Sequence, residues 1–177
     1  MPPRRIDAES LVDPAAAVAL RTHARERGEI LTKLQKSFED DLRVRAAWHW
    51  GSFMRGEQDD LSDLDLWLLI EDVHVPGFAP TIASWCEGSG TMVNWGENAH
   101  NAPPDGGYLG ALLAGTHGLH HLDIYWQPAS KFEAPAGAFL DRRSEVASSS
   151  IQSAPTPPHG APGNLAFVWL MLSVDAK

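Results

Sequence analysis

Helical and strand-like periodicities alternate along this chain, and that alternation predicts a mixed α/β fold. Two observations carry the prediction. Apolar residues recur at helical spacing from Asp13 to Asp41. Four later runs, Arg43 to Trp50, Leu64 to Ile70, Tyr108 to Ala114 and Leu119 to Trp126, are short, apolar and rich in β-formers, with glycine punctuation between them. A third observation bounds both: 177 residues at 44% hydrophobic and 21% charged suffice for one domain with a packed core.

Taken in order, the first element is a helix. Asp13-Pro14 is a cap followed by a first-turn proline, and Leu20, Ala24, Leu31, Leu34 and Phe38 mark one apolar face before the acidic stop Glu39-Asp40-Asp41. Gly28 weakens its middle. Strands follow at Arg43 to Trp50 and Leu64 to Ile70, joined by a Gly51 to Ser62 loop with room for one helical turn. After Pro76-Gly77 and Pro80, Thr81 to Glu87 reads as a short helix and Thr91 to Trp95 as a short strand. Tyr108 to Ala114 and Leu119 to Trp126 form a hairpin around Gly115-Thr116-His117-Gly118. These elements make one domain over residues 1–147.

Two C-terminal segments differ in composition. Residues 148–163, SSSIQSAPTPPHGAPG, read as a Pro/Ser-rich linker. Residues 164–177 read as an apolar helix and a candidate surface for oligomerisation.

Charge and composition exclude several function classes. The net charge is −9, and the basic residues are dispersed apart from Arg21, Arg25 and Arg27. A partner of long nucleic acid needs a basic footprint that this sequence lacks. One cysteine, Cys86, excludes an internal disulfide framework. No apolar run is long enough for a membrane span, and the first thirty residues lack a signal-peptide core, so a cytoplasmic protein is expected.

The chemistry concentrates in WGSFMRGEQDDLSDLDLWLLIED, residues 50–72. Strand alternation puts Asp63, Asp65 and Trp67 on one face and Leu64, Leu66 and Leu68 on the other. The same rule sets Asp123 and Tyr125 opposite Leu122, Ile124 and Trp126, so a third acid joins the first two if these strands are neighbours. Clustered carboxylates repel unless a cation lies between them, and hard oxygen donors suit Mg²⁺ together with substrate phosphates. Gly51 allows close backbone approach to a ligand, and Ser52 offers a hydroxyl and an N–H to phosphate oxygens.

Gly51-Ser52, ten residues, Asp63-Leu64-Asp65, and later His121-Leu122-Asp123-Ile124 together resemble the nucleotidyltransferase superfamily of DNA polymerase beta. The similarity, over roughly Arg43 to Pro128, is to its small bacterial members: the aminoglycoside and lincosamide nucleotidyltransferases and the minimal nucleotidyltransferases of toxin–antitoxin modules. The resemblance implies a small mixed sheet with flanking helices, residues 1–147 as the catalytic domain, and residues 164–177 as the start of a truncated helical domain. It implies two Mg²⁺ ions, with Asp63 and Asp65 on both and Asp123 on the catalytic one. Gly51, Ser52 and Ser62 would contact the phosphates of ATP or another nucleoside triphosphate, and Arg55 is a further candidate contact. The expected activity is transfer of a nucleoside monophosphate, AMP from ATP foremost, to a hydroxyl of a small and aminoglycoside-like acceptor. An antitoxin-like protein that modifies or masks a protein partner is the alternative, and a silent scaffold is a third reading.

Plainer roles are expected for other residues. His117, His120 and His121 read as solvent-facing histidines of a hairpin. Trp48, Trp50, Trp67 and Trp126 read as core and pocket wall, and Asp141-Arg142-Arg143 as a surface charge group.

Overall fold

The computed structural model describes residues 13–142 and the pair Gln152–Ser153. Helix α1 spans Pro14–Asp40. Asp13 caps it through its backbone carbonyl, which accepts from the Ala17 N–H at 3.0 Å, and its carboxylate makes no capping bond. Strand β1 (Val44–His49) leads through the short helix α2 (Gly51–Arg55) to β2 (Leu64–Ile70). Helix α3 covers Ala79–Ser89 and starts before the predicted Thr81, because Pro80 in a first turn displaces no intrahelical hydrogen bond. Strands β3 (Thr91–Glu97), β4 (Gly107–Gly115) and β5 (Gly118–Pro128) follow, then three two-residue strands, β6 (Phe132–Glu133), β7 (Leu140–Asp141) and β8 (Gln152–Ser153).

The fold is mixed α+β, with a six-stranded sheet in the order β3-β4-β5-β2-β1-β7 and three α-helices among the described residues. Strands β2 and β5 are parallel, and every other pairing in this sheet is antiparallel. That one parallel pair joins sequence-distant segments at the centre. Strand β8 pairs in parallel with β6 through Phe132↔Gln152, while the rest of the predicted linker and the predicted apolar helix lie outside the described residues.

Alternation decides what each sheet face buries. One face carries Leu64, Leu66, Leu68, Leu122, Ile124 and Trp126 against Ile30, Leu34 and Phe38 of α1 and Ile82 and Cys86 of α3. The other gathers Trp48, Trp67, Tyr108, Tyr125 and Phe132. Four of these aromatics occupy one cross-strand row, Trp48↔Trp67↔Tyr125↔Tyr108. Trp48 and Trp67 stack at 6.1 Å, Trp67 and Tyr125 at 5.0 Å, and Tyr125 and Tyr108 lie tilted at 5.1 Å. Offset ring pairs of this kind stabilise beyond area burial alone. The row forms the floor beside the acids.

Candidate active site

The acids occupy the row adjacent to the aromatics. In the parallel β2–β5 pair, Asp65 is the register partner of Asp123, and Asp123 in turn faces Gly110 of β4. Because paired residues in a sheet project to the same side, the two carboxylates share the face of Trp67 and Tyr125. Asp63 lies just before β2, two residues from Asp65 and on the same side by alternation. The structure therefore brings together Asp63, Asp65 and Asp123 from segments about sixty residues apart.

His121, two residues before Asp123, lies between two of these acids. Its Nδ1 is 3.4 Å from Asp63 Oδ2, and its Nε2 is 3.3 Å from Asp123 Oδ1. Burial pulls this imidazole down, but its hydrogen bonds to Asp123 and Asp63 and their charges outweigh that and raise it to about 10. Asp65 is pushed the other way from an ordinary carboxylate, up to about 6, first by burial and then by the charges of Asp123 and Asp63; His121 and Arg55 pull back.

Gly51 fits against Asp65 in a way no other residue could. Its φ is +60°, and a Cβ there would stand 2.0 Å from Asp65 Oδ2. The Trp50 N–H donates to the Asp65 carbonyl at 2.9 Å, which fixes the start of α2 beside β2. Ser52 follows in α2, half-buried, and its carbonyl accepts from Glu57 N–H at 2.9 Å.

The remaining predicted contacts are placed differently. The Ser62 hydroxyl donates to Asp59 Oδ1 at 2.9 Å and accepts from the Asp59 N–H at 2.8 Å, while the Ser62 carbonyl accepts from buried Arg27 at 2.7 Å. Ser62 thereby braces the loop that delivers Asp63. Arg55 is exposed and pairs with Glu57 at 2.6 Å, near enough to Asp65 to favour its ionised form.

Three expectations are corrected. His120 is 2% exposed, not solvent-facing, because its strand position points to the helical layer, where it stacks on His23 at 4.1 Å and approaches Glu26 at 3.3 Å. His121 is partly buried among the acids, and His117 is exposed as expected. Arg142, assigned to a surface charge group, reaches the carbonyls of Asp41 at 3.2 Å, Val44 at 3.3 Å and Glu39, closing the C-terminal end of α1.

Sequence reasoning missed Tyr108. Its hydroxyl donates to Asp123 Oδ1. Counting back along the hairpin from the Gly115–Gly118 turn pairs Tyr108 with Tyr125 and Gly110 with Asp123, so the signal was present in the turn position.

Among the described residues, no three His, Cys, Asp or Glu side chains stand as a preformed enclosure for a metal ion. The donor chemistry nevertheless fits a hard cation: three carboxylates on one face, one of them held near pH 6 by burial and by repulsion that a cation would remove. Among the described residues, no helix is long and apolar enough to cross a membrane. No family model matches the chain, and no curated protein matches it at a significant level.

Proposed function

We propose that this protein is a Mg²⁺-dependent nucleotidyltransferase of the polymerase-beta-like fold, transferring a nucleoside monophosphate, AMP from ATP foremost, to a hydroxyl of a small molecule. The observation that carries this reading is the Asp65↔Asp123 pairing across the parallel strands, with Gly51 packed on the same carboxylate. Asp63, Asp65 and Asp123 would hold the magnesium, which when bound supplies the positive charge that draws in the triphosphate and stabilises the departing pyrophosphate. The bare Cα of Gly51 lets the backbone run beside the acids, and Ser52 next to it offers its hydroxyl and N–H to phosphate oxygens. In the transfer, the acceptor hydroxyl gives its proton to water as its oxygen bonds to the α-phosphorus and the bond from that phosphorus to pyrophosphate breaks. Trp50, tilted against Trp67 at 5.3 Å, and the buried row beyond it form an apolar wall beside the acids that limits water.

Pyrophosphate release measured with each of the four nucleoside triphosphates and a panel of hydroxylated small molecules tests the reading. Release is expected with Mg²⁺ and none with EDTA. Asp123→Asn removes charge stabilisation worth several kcal/mol, on the order of 100-fold or more in rate. Equal turnover by this variant would overturn the assignment. Release with a protein acceptor alone would point to the antitoxin-like alternative.

A further inference from the structure

Tyr108 is 8% exposed, and its phenol lies over its own strand to reach Asp123 on the next one. That path exists because position 110 is glycine. A Cβ there would stand 2.8 Å from the Tyr108 Oη and 3.7 Å from Asp123 Oδ1, and the phenol ring is backed by Tyr125, so it has little room to retreat. Asn101 hydrogen-bonds the same phenol. His121 also approaches Asp123 at Oδ1, so two neighbours converge on one oxygen of this carboxylate.

Resting on the nucleotidyltransferase reading above, we infer that Tyr108 is a positioning residue for Asp123: the phenol passes over Gly110 and holds the carboxylate by Oδ1 in one orientation toward a bound divalent cation. Outer partners that orient ligating carboxylates change metal affinity by about 10- to 100-fold when removed. Gly110 belongs to the same device, since a methyl group there displaces the hydroxyl while leaving Tyr108 in the chain.

The test is a Mn²⁺ titration of the full chain by electron paramagnetic resonance, with no nucleotide and no turnover. Tyr108→Phe keeps the buried ring and removes the donor, and is expected to weaken Mn²⁺ binding by about 10-fold or more. Gly110→Ala should do the same with the hydroxyl present. The double variant should be no weaker than the poorer single variant, because both changes remove one interaction. Wild-type affinity in Tyr108→Phe, or losses that multiply in the double variant, would overturn the inference and leave the metal reading standing. If the wild-type chain itself binds no Mn²⁺, the proposed function falls and the positioning role falls with it.

Discussion

Asp65 illustrates how a single residue records a conflict between folding and ligand chemistry. Its carboxyl is raised from 3.8 to about 6 by burial and by two neighbouring acids, a shift equivalent to roughly 3 kcal/mol of unfavourable ionisation at neutral pH. The folded chain binds this proton more tightly than the unfolded chain, so the contribution of Asp65 to stability falls as pH rises from about 4 to about 6. Asp65→Asn is therefore expected to stabilise the protein in EDTA at pH 7 by about 1–3 kcal/mol, and to give no advantage below pH 4. Thermal melts at both pH values check this, and a lower melting temperature for the variant at pH 7 would contradict it. The sequence showed which acids share a face. It did not show His121 between two of them, because a histidine next to a hairpin turn reads as exposed until the neighbouring strand is known.

At the scale of elements, the β4–β5 hairpin sets the position of Asp123 and is tied to the helical layer. Glu26 of α1 accepts from the Thr116 hydroxyl and from the Thr116 N–H at 3.1 Å, with His120 beside it at 3.3 Å. These bonds, the Thr116 hydroxyl foremost, hold the Glu26 carboxyl down to about 2. The stabilisation is present above the usual 4.5 and is lost as pH falls toward 2. Glu26→Gln should cost about 1 kcal/mol at pH 7, a charged hydrogen bond discounted for solvent contact, and nothing near pH 2. Hydrogen exchange at the Thr116 amide offers a local readout, and unchanged protection at pH 7 would count against the latch. His23 and Arg27 extend the same tie: His23 Nδ1 lies 3.1 Å from the Asp60 carbonyl, and Arg27 holds Ser62. Helix α1 thus grips both the hairpin and the loop before Asp63. The glycine turn and the helical period were legible from local pattern, whereas which helix residue meets which loop carbonyl depends on how the layers pack.

For the whole molecule, stability rests on the helical layer closing over one sheet face. Phe38 is fully buried, with Trp85 at 5.3 Å edge-on and Phe139 at 6.4 Å, so it joins α1, α3 and the segment before β7. Phe38→Ala is expected to cost about 3–5 kcal/mol, read as a lower urea midpoint with an unchanged slope. A loss under about 1 kcal/mol would show that the layer repacks freely. Since Phe38 lies on the face away from the acids, Mn²⁺ affinity of the variant while folded should match the wild type.

The sequence by itself determined the elements and the faces: α1 from its apolar period, β2 and β5 from alternation, and the three acids as one-sided residues, because these are local properties of spacing. The tertiary structure decided which strands are neighbours, through the parallel β2–β5 pairing that sets Asp65 against Asp123. It also decided the partners that tune those acids, with His121 between Asp63 and Asp123, Tyr108 on Asp123 and Gly51 against Asp65. Pairing of distant strands and the burial that shifts a carboxylate arise only when remote segments exclude water together, and no local window of residues encodes that.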